Sequence, residues 1–337
     1  MPLTRLNIAF ISPDTSGFNS VLRYSTAQSQ FVWDSSEYSF TANYQGSVSG
    51  YTSGGNAPAP VLGSINTIDK FPFAADGNAT DVGDLTQDRL GTAGQSSTTH
   101  GYISGGQEST PPPAFRNIID RFPFASGGNA SDVGDLSSNR AYPTGQSSDT
   151  YGYTSGGLVP PFTNIIERFP FATNANATDV GDLTQARNDV AGQNSTTSGY
   201  TSAGSAPAIV NTIDKFPFAT NANATDVGDL TQTRRNPAGQ SSAVYGYTSG
   251  GYTFPLVNTI DRFPFNTNAN ASDVGDLSAS RDSAAGQSSS SSGYTSGGAT
   301  PDVRLNTIDK FPFSTNSNAT DVGDLTQSRF AVSGQQV

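Results

Sequence analysis

The sequence predicts an all-β fold assembled from repeats, and three observations carry that reading. Gly and Pro, 36 and 20 of the 337 residues, occur too often for long helices to persist. Charged residues make up only 13% while aromatics reach 10%, carried by 20 Phe and 13 Tyr against a single Trp, the profile of a polar, turn-rich β chain. The phrase Gly-Tyr-x-Ser-(Gly/Ala)-Gly returns six times, with its tyrosine at Tyr51, Tyr102, Tyr153, Tyr200, Tyr247 and Tyr294 and spacings of 51, 51, 47, 47 and 47 residues.

Each copy continues with Asn-x-Ile-(Asp/Glu)-(Lys/Arg)-Phe-Pro-Phe, then Asn-Ala-(Thr/Ser)-Asp-Val-Gly-Asp-Leu, then an Arg four positions after that Leu, and finally Gly-Gln. These four phrases are short and separated by clusters of Gly, Pro, Asn and Ser, so each reads as one strand. A repeat of about 40–50 residues with four strands is the signature of a propeller blade. The prediction is therefore a six-bladed β-propeller over residues 50–337, four antiparallel strands per blade, with repeats starting near 50, 101, 152, 199, 246 and 293. One blade has two faces to bury and needs neighbours on both.

The third strand bears this out in its pattern, since Ile68 lies on one parity and Phe71 and Phe73 on the other, as a blade sandwiched between two blades requires. Burying each of these rings stabilises the fold by roughly 1.5–3 kcal/mol. Pro72 cannot donate to a ladder, which puts the Phe-Pro-Phe triplet at a strand end or an outer edge. The Gly-Gln phrase, with its small neighbours, suits the innermost strand, where six strands converge. Its glutamines, Gln95, Gln146, Gln193, Gln240, Gln287 and Gln335, either line the axial channel or turn outward into the blades. Two pairings would close the ring. Either residues 330–337 pair with the strand at 50–55, or residues 40–48 supply the first inner strand through a hairpin.

The absence of cysteine removes disulfides, thiol nucleophiles and cysteine-bound metals, and one histidine, His100, cannot build a His-rich zinc or copper site. His100 itself reads as a solvated turn residue. A net charge of -11 opposes a nucleic-acid partner, whose phosphates call for a basic surface. Polar residues interrupt every apolar stretch near the N-terminus, so neither a signal-peptide core nor membrane insertion is expected. Each repeat carries paired aspartates such as Asp226 and Asp229. Because the pair recurs in every blade, turn capping and inter-blade pairing with the repeat arginine explain it better than Ca²⁺ or acid/base chemistry, and neither a metal nor a cofactor is expected. The six Asn-Ala-(Thr/Ser) triplets, beginning at Asn78, Asn129, Asn176, Asn223, Asn270 and Asn318, read as turn formers and not as glycosylation acceptors. No catalytic residue emerges, and the chain reads as a non-enzyme. A glycan-active enzyme would need Glu108 and Asp302, acids outside the repeat, to meet near the axis.

Comparing the six units with one another locates the surface free to vary. The stretches between second and third strands, 56–65, 107–116, 158–163, 205–210, 252–257 and 299–305, hardly match, and the links between blades vary as well. In an up-and-down blade both lie on one face, opposite the near-constant Asn-Ala-Thr turns. The aromatic and Arg residues on this face, Phe115, Arg116, Phe162, Tyr252, Phe254 and Arg304, are the candidate binding residues, because such side chains anchor protein and sugar contacts. Residues 1–49 do not repeat. They form an N-terminal arm too small for its own core, and Phe31, Trp33, Tyr38 and Phe40, in alternating short strands, are expected to dock it on a partner or to make a homo-oligomer, with packing on its own propeller as the alternative.

At Arg187, Ala191-Gly192, Gly199-Tyr200 leading into Ala203-Gly204, and Ile213-Asp214, the unit resembles the kelch repeat, and it does so across residues 50–337. It departs from that pattern at the fourth strand, where Val-Gly-Asp-Leu stands in place of the usual tryptophan. The wording Ile-Asp-Lys-Phe-Pro-Phe, Asn-Ala-Thr-Asp-Val-Gly-Asp-Leu and Ala-Gly-Gln-Ser-Ser also resembles repeats in virion proteins of marine phages, especially those infecting cyanobacteria. This resemblance implies a virion location, as a fibre, knob or capsid-decoration subunit. It also implies other virion proteins as partners of residues 1–49, and a host-surface glycan or receptor as the partner of the propeller. An intracellular kelch-like adaptor is the alternative.

Overall fold

The computed structural model describes residues 21–25, 30–34, 45–59, 63–109 and 112–337. Among them are six four-stranded antiparallel sheets, each running inner, second, third and outer strand, arranged as the blades of a propeller. Blade 4 serves as the pattern. Its inner strand is Ala191–Asn194, its second Ser198–Ser202, its third Thr212–Pro217 and its outer Thr225–Asp229. Blades 2, 3, 5 and 6 have inner strands Ala93–Ser96, Thr144–Ser147, Ala238–Ser241 and Ala285–Ser288. No helix among the described residues is long and apolar enough to cross a membrane.

Blade 1 is made from both ends of the propeller chain. Its inner strand is Ser333–Gln336, paired with Ser49–Ser53 so that Gly50 faces Gln336 and Ser53 faces Ser333. The C-terminal pairing therefore closes the ring. The alternative, an inner strand from residues 40–48, is not what the described part of that segment does. Gly46 instead bridges Ser289 of blade 6, Val48 donates to the Val337 carbonyl at 2.7 Å, and Gln45 reaches the Ser241 carbonyl of blade 5 at 2.9 Å. These contacts fall on the side of the inner-to-second hairpins, the same side as the Asn-Ala-Thr turns.

At the axis the inner strands meet through six glycines. A methyl group on Gly192 would sit 2.3 Å from the Gly145 carbonyl oxygen of the preceding blade, and Gly94, Gly145, Gly239, Gly286 and Gly334 repeat the contact at 2.1–2.3 Å, so no side chain fits there. The glutamine that follows does not line the channel. Gln193 is fully buried and points between blades, donating to the Tyr247 carbonyl and to Thr248 Oγ1 of blade 5, each at 3.0 Å, and to Ser202 of its own blade.

Between blades the core is aromatic. Tyr200 of blade 4 packs with Ile213 and Leu230 against Phe263 and Phe265 of blade 5, with the Tyr200 and Phe265 rings stacked at 4.8 Å. Blades 6 and 1 repeat the arrangement with Phe71 and Phe73 on Tyr294, so the two parities of the third strand do serve two different neighbours. The glycine before each tyrosine makes room for a ring: a methyl on Gly199 would lie 2.3 Å from Phe216, its partner across the sheet. Proline ends the third strand, as at Pro217, and the triplet lies at a strand end and not at the sheet's outer edge.

Buried ion pairs join the blades, and they correct the expected partner of the arginine. Arg187, which follows the outer strand of blade 3, bonds Asp214 on the third strand of blade 4 at 3.0 Å, with both side chains fully buried. Arg329–Asp69 at 2.8 Å does the same across the closure, and Arg140–Glu167 shows that a glutamate serves as well. Thr184 completes the shell of Asp214 through its backbone N–H and its hydroxyl. The Asp-Val-Gly-Asp acids have other work. Asp226 accepts the Gly228 N–H at 3.1 Å inside a β-bulge, and the Asp229 backbone N–H donates to Asn270 Oδ1 of blade 5. The triplet asparagines are thus inter-blade clips as well as turn formers. The third-strand acid was the right partner for a steric reason: it is fully buried at the blade interface, whereas on the outer strand Asp226 is exposed and Asp229 half-buried.

Residues 1–42 form a separate unit. Within it, Val21–Ser25 and Gln30–Asp34 make an antiparallel hairpin with Val21 opposite Asp34. Phe31 and Trp33 lie on its second strand as alternation predicts, while Tyr38 and Phe40 lie outside the described residues.

Two stability predictions follow from these contacts. Gly192→Ala forces the Gly145 carbonyl away and should destabilise the propeller by about 1–3 kcal/mol in denaturant unfolding. Asp214→Ala leaves the Arg187 guanidinium buried and unpaired and should cost roughly 3–5 kcal/mol. An unchanged midpoint for either variant would contradict the assignment.

Candidate binding face

The links between blades converge on the axis in a way the repeat does not advertise. One residue per link, Gly91, Tyr142, Asp189, Asn236, Ser283 and Ala331, adopts a left-handed backbone with φ between 53° and 60°. For the five non-glycine residues this conformation costs on the order of 1–2 kcal/mol each. A closed cycle of hydrogen bonds holds it. Tyr142 N–H donates to the Gly91 carbonyl, Asp189 to Tyr142, Asn236 to Asp189, Ser283 to Asn236, Ala331 to Ser283 and Gly91 to Ala331, at 2.7–3.1 Å. Gly91 is required at its place, because a methyl there would meet the Tyr142 ring at 2.7 Å.

The residue before each ring member pairs with the head of the loop between second and third strands of the blade that follows. Leu90 bridges Gln107, Ala141 bridges Leu158, Asn188 bridges Ser205, Arg235 bridges Tyr252, Asp282 bridges Ala299, and Phe330 bridges Asn56. Links and loops thus share one face, as the topology of an up-and-down blade requires. At its centre is a well of about 110 Å³ whose wall includes the six axial glycines and whose one charged lining residue is Asp189.

The six candidate residues are distributed over four blades of this face. Phe115 and Arg116 belong to blade 2, where Phe115 is half-buried against Gln107 and Arg116 bonds Glu108 at 2.9 Å and Gln87 at 3.1 Å. Phe162 belongs to blade 3 and pairs with Leu158. Arg304 of blade 6 lies 5.1 Å above the Phe330 ring. Tyr252 and Phe254 of blade 5 touch each other, with ring centroids 4.5 Å apart, and Phe254 is 72% exposed.

Sequence reasoning missed the residues beside that pair. The Arg235 guanidinium lies 5.2 Å over the Tyr252 ring, and its Nε is buried without a hydrogen-bond partner. Asp189 is half-buried, and burial pushes its carboxyl up to about 6, against the pull of Arg235 and with a further push from Asp282. Burial likewise raises Tyr142 to about 12 with the help of Asp189, and raises Asp282. The available signal was the six-unit comparison itself. Glycine, aspartate and asparagine at one position of the link are the residues that tolerate a left-handed backbone.

Glu108 and Asp302 do not meet at the axis. Glu108 pairs with Arg116 on blade 2, and Asp302 is exposed on the blade 6 loop. His100 begins a second strand, half-buried, with Nδ1 2.8 Å from Thr99 Oγ1, and burial lowers its pKa. Among the described residues, no group of three His, Cys, Asp or Glu side chains is placed to hold a metal ion.

No family model matches this chain, and no curated protein shows significant similarity to it. The chain is a six-bladed β-propeller repeat protein, a fold suited to binding.

The Asp189 environment gives a signed prediction. A carboxyl raised in the folded state makes stability fall as pH rises from about 4 to about 6, and the penalty is fully present at pH 7. Asp189→Asn should therefore raise the thermal midpoint at pH 7.5 by a few degrees, and the gain should vanish by about pH 3.5. An equal gain at both pH values would contradict the burial account.

Proposed function

We propose that this chain is a non-enzymatic structural and adhesion subunit of a virus particle, a fibre, knob or decoration protein that binds a host-surface partner through the variable face of its propeller. One observation carries the reading. The side chains repeated six times are engaged in holding blades together: glycine at the axis, glutamine, arginine with its acid, and asparagine between neighbours. The loops that differ from blade to blade carry Phe115, Arg116, Phe162, Tyr252, Phe254 and Arg304 on one face, and Phe254 there is 72% exposed. The phage resemblance of the repeat wording, kelch-like in its Arg, Gly-Gly and Ile-Asp positions, supplies the assembly.

The test is composition and attachment. Mass spectrometry of purified particles should find the chain, a version lacking residues 1–42 should fold but fail to join particles, and the soluble full-length protein should label host cells. Alanine at Phe115, Phe162, Phe254 and Arg304 together should abolish that labelling. Recovery only from host lysate, bound to a cellular protein, would favour the kelch-like adaptor instead.

A further inference from the structure

The fold is close to sixfold, yet the chemistry of the variable face is not. Around the left-handed ring, blades 4 to 6 contribute Asp189, Asn236 and Ser283, while blades 1 and 2 contribute Ala331 and Gly91. One position further out, blades 5 and 6 place Arg235 and Asp282, against Leu90 and Ala141 in blades 2 and 3. Planar polar groups are therefore gathered in one sector, and the exposed aromatic pair lies in that sector too.

Within it two opposite charges are unjoined. The Asp189 carbonyl accepts the N–H of Asn236, the residue after Arg235, at 2.8 Å, yet no ion pair links Asp189 and Arg235 among the described residues. The six structural arginines also keep a buried Nε without a partner, but each is paired with an acid, and Arg235 is not. A half-buried guanidinium without an acid beside it is unfavourable unless something else satisfies it.

Phe254, against the Tyr252 ring that Arg235 covers, is also in a costly state. It holds a left-handed backbone, φ 64°, while 72% exposed, in a turn fixed by Thr253, whose N–H and hydroxyl both donate to the Pro255 carbonyl at 2.9 Å. The ring is thus presented on a rigid support, with Tyr252 at its edge and Arg235 over Tyr252.

We infer that Asp189, Arg235, Tyr252 and Phe254 form a subsite for a neutral saccharide, an inference that rests on the adhesion reading above. The charge pattern selects this class. An anion would satisfy Arg235 but meet Asp189, Asp282 and a chain of net charge -11. A cation would satisfy Asp189 but meet Arg235. A sugar hydroxyl both donates and accepts, so neighbouring hydroxyls answer the guanidinium and the carboxylate together, while the apolar face of the ring lies on Phe254. The small well and the nearby Asn236 add room and one further amide for a second residue of the chain.

The experiment is titration calorimetry of the full-length protein with linear oligomers of glucose, galactose and mannose, and with uronic-acid oligomers as the acidic comparison. At least one neutral series should bind, and Phe254→Ala and Asp189→Asn should each weaken it about tenfold without lowering the unfolding midpoint. Binding of the acidic oligomers alone, binding of none, or equal affinity in both variants overturns the inference. Host-cell labelling separates it from the adhesion reading. Loss of labelling after periodate oxidation of the cell surface, matched by loss in Phe254→Ala, supports the subsite. Labelling that resists periodate but disappears after protease treatment of the cells overturns the saccharide and leaves adhesion standing. Labelling indifferent to alanine at every variable-face aromatic overturns both.

Discussion

The closeness of six backbones at the axis is the constraint on which the rest of the molecule depends. Adjacent inner strands meet where a methyl group would come within 2.1–2.3 Å of a carbonyl oxygen, so each strand must offer glycine at that level. Once the backbones meet there, the residue after glycine is carried into the seam between blades, where only a side chain with both donor and acceptor groups satisfies its surroundings. Glutamine does so, reaching a carbonyl and a hydroxyl on the next blade. The strand that converges on the axis also sets how far the outer parts of the blades diverge, and the large aromatic rings fill that widening gap. Glycine inside and phenylalanine outside are thus two ends of one geometric requirement.

The polar contacts between blades add direction to this apolar wedge. A buried arginine and acid bring little net stability when compared with apolar residues of like volume, but an arginine denied its acid is heavily penalised. Six such pairs therefore act against wrong neighbours and wrong blade angles more than they add to the depth of the native well. The pairing across the closure, Arg329 with Asp69, is built like the internal ones, so the seam between chain ends is no weaker in kind than any other.

Legibility in the sequence followed repetition. Six copies of one contact leave six copies of one phrase, and so the blade count, the strand order, the two-sided third strand and the shared face of links and loops could be read from residues alone. The partner of the repeat arginine could not, because Asp214, Asp226 and Asp229 recur with equal regularity and only the direction in which each faces tells them apart. The glutamines posed the same difficulty, since a strand at the axis presents one parity to the channel and the other to the seam. The left-handed ring was hidden because Tyr142, Ser283 and Ala331 are not residues that announce such a backbone, and Arg235 was masked by the structural Arg234 before it. Phe115, Arg116, Phe162 and Arg304 were placed on the right face by reasoning about loops, but their separation over different blades depends on where each blade stands around the ring. Phe31 and Trp33 fell on a strand, as alternation implied.

The closure has a temporal side. Blade 1 has its second, third and outer strands early in the sequence and its inner strand, Ser333–Gln336, after every other blade. During synthesis those three strands wait with one edge unpaired while five further blades emerge, so the ring is completed in a single late event. A ribosome that stops short of this strand releases an open arc with an unpaired edge, which makes the finished circle a built-in proof that every blade was translated.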